Sequence, residues 1–192
     1  QGRISKTNTF ETEKYIADTL KNALMVNHKW NVDIEKYRVI NNSSLTNEQM
    51  QTMKFVCENT ITVLQGFAGS GKSFSVLALM NMLYDNNLTA ILLAPTGRAA
   101  KVLQKYTNHM ASTIHRGLGF MPPNEWCYNE KNKLPQDIVI LDETSMVDVF
   151  LFKHLLESID FNRTKLLIIG DNAQIPSVSC GNVLHDILNS NI

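Results

Sequence analysis

The sequence predicts an α/β domain built on a mostly parallel β-sheet with helices on both faces. Three observations predict it. Short apolar runs recur at residues 61–64, 90–94, 138–141 and 166–169, with helical patterns between them. The runs are continuous instead of alternating, which marks strands buried on both faces, as in a parallel sheet with helical crossovers. A glycine-rich loop joins the first run to the helix that follows it.

The elements follow in order. Ile16, Leu20 and Leu24 recur at helical spacing and predict a helix within residues 10–30. It is expected to pack on the main domain, so that residues 1–44 form a helical segment and residues 45–192 the domain itself. Asn41-Asn42-Ser43-Ser44 reads as a loop. Thr46 followed by Gln49 has the form of a capping box and opens a helix over 49–59. Strand 61–64 leads into a helix over 72–84. Strand 90–94 leads into a helix over 98–105. Strand 138–141 precedes a helix over 150–156, and strand 166–169 precedes a last helix over 183–188. Between Leu118 and Gln136 the rhythm breaks. Pro122-Pro123, Asn129 and Asn132 punctuate this stretch, and a small hairpin inserted at 119–136 is expected there, with Trp126 and Tyr128 on it.

Composition bounds the function. A chain of 192 residues can bury a sizeable core. The 18 basic and 18 acidic residues balance, so any nucleic-acid contact must come from a local patch. Cys57, Cys127 and Cys180 have no metal-ligand or CxxC spacing, and read as reduced thiols of a cytoplasmic protein. No apolar run has the length of a membrane span, and no signal peptide is visible. The chain begins at Gln1 and stops just after a helical pattern, so it is expected to be a piece excised from a longer protein.

Gly66-Phe67-Ala68-Gly69-Ser70-Gly71-Lys72-Ser73 fits G-x-x-x-x-G-K-[ST] at every fixed position. Glycines let backbone N–H groups converge on phosphate oxygens, and the following helix adds the partial positive charge of its N-terminus. Gly66, Ala68, Gly69, Ser70, Gly71, Lys72 and Ser73 are therefore candidate nucleotide-binding residues. Lys72 would reach the β/γ-phosphates, and the Ser73 hydroxyl would ligate Mg²⁺. The pattern arises by chance in about one per cent of chains this long at average amino-acid usage. Its position between an apolar strand and a helix argues against chance.

Asp142-Glu143 ends the run at 138–141. Two adjacent carboxylates at the end of a buried strand need a reason, because desolvated charge is costly. A solvated strand end that caps the next helix is one reason. A Mg²⁺-nucleotide site is the other, and the phosphate loop upstream favours it. Asp142 would then hold the cation, and Glu143 would orient and deprotonate the attacking water.

After the fourth run comes Gly170-Asp171-Asn172-Ala173-Gln174-Ile175-Pro176-Ser177-Val178. This segment resembles motif III of RecD-like helicases. The resemblance implies a RecA-like P-loop NTPase fold and gives Gln174 the role of sensing the γ-phosphate. Other segments are similar to the family's motifs in the family's order. Leu45-Thr46-Asn47-Glu48-Gln49 resembles the adenine-reading Q motif, with Gln49 as reader. Pro95-Thr96-Gly97-Arg98 within 94–101 resembles motif Ia, which grips single-stranded DNA. Ser112-Thr113-Ile114-His115-Arg116 resembles the next DNA-contact motif, and Asp142-Glu143-Thr144-Ser145-Met146-Val147-Asp148 resembles motif II. The motifs span roughly three quarters of the chain. The inserted hairpin falls where the family carries its duplex-splitting pin.

The resemblance implies ATP hydrolysis with Mg²⁺, coupled to 5′→3′ movement on single-stranded DNA and duplex unwinding. It also implies a second motor domain of the same polypeptide that brings catalytic arginines, and a setting in DNA repair or recombination. Ser179-Cys180 stand where the family usually has glycine-proline. Ala68 and Ser70 stand where it more often has proline and threonine, a variation shared with conjugative relaxase-helicases. Structural readings compete at the weaker positions. Gln49 is equally the capping residue of its helix. Thr96 can simply start a helix, with Arg98 and Lys101 solvated. His115 can be a structural histidine, and Trp126 can pack on the domain's own surface. The rival functions are a relaxase-fused or phage-type helicase motor, and a nucleotide-regulated DNA-binding module without translocation.

Overall fold

Alternate side chains of a strand point to opposite faces, so a strand apolar at every position needs a cover on each side. The computed structural model, which describes residues 2–26, 28–66, 71–171 and 187, meets that need. In chain order its elements are α1 (Gly2–Leu24), a 3₁₀ turn (Ile34–Tyr37), β1 (Val39–Ile40), β2 (Ser43–Ser44), α2 (Asn47–Glu58), β3 (Ile61–Gln65), α3 (Lys72–Asp85) and β4 (Ala90–Ala94). They continue as α4 (Gly97–Thr107), β5 (Ala111–Thr113), α5 (Ile114–Gly117), β6 (Phe120–Met121), β7 (Glu125–Trp126), β8 (Ile138–Leu141), a second 3₁₀ turn (Thr144–Met146), α6 (Val149–Glu157) and β9 (Lys165–Gly170). The last helix expected over 183–188 lies outside the described residues apart from Ile187, which packs against the core.

One parallel sheet has the order β3-β9-β8-β4-β5. Its two faces feed two cores. Val139, Leu141, Leu166 and Ile168 pack with Ile16 and Leu20 of α1 and Phe152 and Leu155 of α6. Their neighbours Ile138, Ile140, Leu167 and Ile169 pack with Met53 of α2, Leu79 of α3 and Leu103 of α4. Helices therefore cover both faces, as expected. The boundary expected near residue 44 is not a gap in packing, because α1 shares its core with the sheet.

Three expectations need correction. The first helix ends at Leu24 and does not run toward Trp30. Ala23, not Leu24, completes its buried stripe: Ile16, Leu20 and Ala23 face inward, and Leu24 is 47% exposed one position further round the last turn. Residues 41–44 are not a plain loop. Asn41 and Asn42, with φ of 49° and 62°, close a two-residue hairpin between β1 and β2. Positive φ at both central positions matches the right-handed twist of the paired strands, and asparagine tolerates it. Ser43 and Ser44 are exposed and polar, so no apolar alternation announced the pairing. The sheet also has a fifth strand, β5, too short and too polar to register as an apolar run. It pairs with β4 through Leu92↔Ala111 and Ala94↔Thr113. The inserted hairpin exists but is small, Phe120 and Met121 pairing with Trp126 and Glu125.

The segment after α1 is fastened at the opposite edge of the sheet by a buried lysine. Lys165, first residue of β9, is 1% exposed. Its ammonium donates to the carbonyls of His28 (2.8 Å), Cys57 (3.2 Å) and Asn59 (2.7 Å), and lies 5.0 Å from the Trp30 ring centroid. Trp30 N–H donates to the same Cys57 carbonyl, and the Thr60 hydroxyl to that of Val26. Three carbonyl dipoles and a ring face thus replace the water the ammonium lost. Burial still pushes its pKa down to about 8 from 10.5, with the Cys57 sulfur pulling the other way.

Lys165→Met should leave the carbonyls of His28, Cys57 and Asn59 short of a donor. The expected loss is about 1–3 kcal/mol, for at least one acceptor left unsatisfied, measured by denaturant unfolding. The pH dependence has a definite sign. Between about pH 8 and 10.5 the unfolded chain holds this proton more tightly than the folded one, so the parent should gain stability relative to Lys165→Met as pH rises through that window. A flat difference across it would show that the ammonium is not confined as described.

Candidate functional site

Parallel strands all end at one edge of the sheet, and the candidate residues gather there. Gly66 follows β3, Asp171 follows β9, Asp142 follows β8, Pro95 follows β4, and α5 begins directly after β5. Hydrogen bonds continue the pairing past the strand ends: Gly66 N–H donates to the Gly170 carbonyl (3.4 Å), and Asp142 N–H to that of Leu93 (2.9 Å). The strand order reverses direction here, the place where open α/β sheets form a crevice for ligands.

Gly66 and Gly71 frame the phosphate loop; Ala68, Gly69 and Ser70 lie outside the described residues. Gly71 caps α3 with φ +82°, a left-handed conformation that favours glycine. A Cβ there would also come within 2.6 Å of Gln49 Nε2. Lys72 is the first residue of α3, and its ammonium donates to the Gly66 carbonyl across the loop's mouth. Ser73 is exposed beside it.

Gln49 caps its helix and also reaches the phosphate loop. Its Oε1 accepts from Thr46 N–H (2.9 Å), and Thr46 Oγ1 accepts from Gln49 N–H (3.2 Å), which completes the capping box. The Nε2 donates to the Gly71 carbonyl (3.2 Å). Gln49 therefore buttresses the end of the phosphate loop from α2 while it caps that helix.

Asp142 is half-buried and held on both oxygens. Oδ1 accepts from Glu143 N–H and Oδ2 from the Tyr106 hydroxyl, each at 2.8 Å. The first contact needs a sharp turn. Glu143 adopts φ 55°, ψ 38°, a left-handed conformation that costs a residue with a Cβ about 1 kcal/mol or more. The buried Thr144 secures the turn by donating toward the carbonyls of Ile169 (3.0 Å) and Leu141 (3.3 Å). Glu143 is half-buried, and desolvation raises its pKa above the usual 4.5. The charges of Asp142 and Asp171 push the same way, and Lys72 opposes them. The structure thus brings Lys72 into the electrostatic field of the acidic pair although 71 positions separate it from Glu143. Gln174 lies outside the described residues.

The donor set suits a small hard cation. Ser73 and Asp142 offer hydroxyl and carboxylate oxygens, and Mg²⁺ characteristically takes one or two such ligands and completes its shell with water and phosphate oxygens. Among the described residues, no cluster of three or more His, Cys, Asp or Glu side chains could hold a metal alone.

The candidate DNA-contact residues lie on the neighbouring loops. Thr96 caps α4, its hydroxyl accepting from Ala99 N–H (3.2 Å). Pro95 is half-buried, and Gly97 and Arg98 are exposed on the helix's first turn. His115 is exposed on α5 and stacks on Trp126, ring centroids 5.4 Å apart. Trp126 in turn stacks on His154 at 4.5 Å, and Phe120 leans on it at 4.7 Å. Trp126 therefore packs on its own domain between two imidazoles, and Tyr128 packs against the core beneath. Sequence reasoning missed Tyr106. Only the fold carries α4 to the acidic pair, and no spacing links positions 106 and 142.

Residues 49–180 match the family described as AAA domain. The chain belongs to this family, as a RecD-like helicase motor domain. It is 31% identical over 188 residues to the ATP-dependent RecD2 DNA helicase of Deinococcus radiodurans, covering 94% of this chain and 25% of that protein. It is 33% identical over 166 residues to the RecBCD enzyme subunit RecD of Mycolicibacterium smegmatis, covering 73% of this chain and 30% of that protein. Among solved structures, the Pif1 helicase of Candida albicans matches with a TM-score of 0.54 and 25% identity, covering 71% of this chain and 34% of that one. The motor domain thus spans between a quarter and a third of the length of these relatives. Among its described residues, no helix is long and apolar enough to cross a membrane.

The nucleotide-free motor domain should titrate Glu143 above the usual carboxylate range, and Asp142→Asn should lower that value by removing the adjacent like charge. Carbon-detected NMR of the glutamate carboxyl groups reads this directly. An unchanged Glu143 value in the variant would mean that the Asp142 charge does not contribute to it.

Proposed function

We propose that this motor domain binds Mg²⁺-ATP and, within a longer cytoplasmic protein, couples its hydrolysis to 5′→3′ movement on single-stranded DNA and duplex unwinding. The observation that carries the reading is the gathering of Lys72, Asp142 and Glu143 at one edge of the parallel sheet, with β9 between the strands that lead to them. The polarity rests on the family resemblance.

Each residue then has one task. Lys72 leaves the Gly66 carbonyl and binds the β/γ-phosphate oxygens, its charge replacing that weak contact with a charge-assisted one. Ser73 and Asp142 hold Mg²⁺, which when bound supplies positive charge to the phosphates. Glu143 accepts the proton of the attacking water, and its raised pKa makes it a better acceptor than an ordinary carboxylate. Gln49 supports the loop and presents its amide toward the adenine. Gln174 senses the γ-phosphate and relays its loss to the DNA side. Pro95, Thr96, Gly97, Arg98 and His115 meet the strand's phosphates, with backbone amides at the start of α4 and the Arg98 charge as the main attractions.

The remaining need is charge. The transferring phosphoryl group spreads negative charge over three oxygens, and Lys72 with Mg²⁺ neutralises one side. Arg98 is a proposed DNA contact, Arg116 lies in the segment that resembles the next DNA-contact motif, Arg38 is paired with Glu35, and Arg163 precedes β9 at the opposite edge of the sheet. The family resemblance assigns the remaining positive charge to arginines of a second motor domain.

Lys72→Ala should abolish most Mg²⁺-ATP affinity in calorimetric titration. Glu143→Gln should bind nucleotide yet lower single-turnover hydrolysis by roughly two orders of magnitude or more in a chain carrying both motor domains. Normal hydrolysis by Glu143→Gln would remove it from the role of base.

Residues 1–192 alone should bind ATP and turn it over about 10³-fold or more slowly than the two-domain protein, with or without saturating single-stranded DNA, because an arginine of this kind contributes about that much. Comparable steady-state rates would overturn the division of charge between two domains.

A further inference from the structure

Asp142 is not held by its own loop alone. Tyr106 sits in the last turn of α4, 36 positions earlier in the chain, and its hydroxyl donates to Oδ2 at 2.8 Å. The ring is half-buried against the core formed by α2, α3 and the inner face of the sheet. It cannot swing freely, so the hydroxyl is delivered to a fixed point. Burial and the nearby charges of Asp142 and Glu143 push the phenol pKa above its usual 10, and the hydroxyl stays a donor. Glu143 N–H holds the other oxygen, Oδ1, at 2.8 Å.

The consequence is geometric. A carboxylate on a strand end has a soft terminal torsion, and one hydrogen bond leaves the carboxyl plane free to rock. Two donors, one on each oxygen and from different elements, fix that plane. A carboxylate accepts at about four lone-pair sites, so the two donors leave a site on each oxygen for a cation or its water. Partners that orient a ligating carboxylate in this way typically govern metal affinity by about 10–100-fold.

We propose that Tyr106 is a positioning residue for Asp142, and that its hydroxyl sets the affinity of the site for the divalent cation that accompanies the nucleotide. This rests on the reading of Asp142 as a cation ligand. Tyr106 does not touch nucleotide or water in this scheme; it acts through the carboxylate. The same helix carries Thr96 at its N-cap, so the residue orienting the cation ligand and the proposed DNA-phosphate contact share one rigid element.

The test is Tyr106→Phe, which keeps the ring and its packing and deletes only the donor. ATP binding to residues 1–192 is followed by calorimetry in EDTA and across a Mg²⁺ titration, for the parent, Tyr106→Phe, Asp142→Asn and the double variant. Thermal unfolding confirms that each is folded. Tyr106→Phe should raise the Mg²⁺ midpoint about tenfold and leave affinity in EDTA unchanged, a split that a general loss of packing does not produce. In the Asp142→Asn background the same change should have no further effect, because the carboxylate it acts through is gone. Equal Mg²⁺ midpoints for parent and Tyr106→Phe overturn the proposal and leave the nucleotide site intact. An undiminished effect in the Asp142→Asn background also overturns it. A parent chain that binds ATP with no Mg²⁺ dependence removes Asp142 as cation ligand, and the proposal falls with that reading.

Discussion

The parallel pairing of β9 between β3 and β8 is the constraint on which the candidate site depends. Gln65 pairs with Gly170, and Leu141 with Ile168, so the phosphate-loop strand and the acidic strand end within two residues of each other on either side of one intervening strand. Helices on both faces bury every residue of β8 and β9. The chain can leave such strands only at their ends, and polar side chains can appear only where it leaves. Lys72 and the acidic pair are neighbours for that reason, and no local feature of their own segments brings them together.

That edge is electrostatically tense, and the fold manages the tension with specific contacts. Two adjacent carboxylates leave a buried strand, with Asp171 close enough to raise the pKa of Glu143 further. Asp142 is satisfied by two hydrogen bonds, and burial is the first cause of the raised pKa of Glu143. One acid is thus fixed and oriented by hydrogen bonds, and the other has its pKa raised. Such a division suits a ligand and a base better than a pair of equivalent acids. Lys72 donates to the Gly66 carbonyl across the mouth of the loop.

The opposite edge of the sheet is built on a different principle. There Lys165 is buried at the start of β9 and gathers three carbonyls from two segments. The strand that separates the phosphate loop from the acidic pair is thus anchored at its first residue to the segment following α1. On the lateral side, the small hairpin closes over α5 and α6 through the column His115–Trp126–His154. Trp126, expected from the family resemblance as a residue of the strand-splitting pin, spends both its ring faces on the domain itself. Its indole N–H is buried without a partner among the described residues.

The sequence by itself determined the layer architecture, the four longer strands, the helices after the first three of them, and the segments read as a phosphate loop and an acidic pair. Those features are written in local signals: continuous apolar runs, glycine spacing, and charge placed where a buried strand ends. It left open whether Gln49 caps a helix or faces the nucleotide site, and the fold shows one side chain capping α2 and bracing Gly71. It gave no sign of the β1–β2 hairpin, whose second strand is polar and exposed, nor of β5, which is three residues long and stabilised by β4. It could not show Lys165 as a clasp or Tyr106 as the partner of Asp142. Both are single side chains whose partners lie 36 to 137 positions away in the chain. Pattern along a chain reports what each segment must bury. Which distant polar group meets which is decided only when strand order and helix tilt bring them within hydrogen-bonding distance.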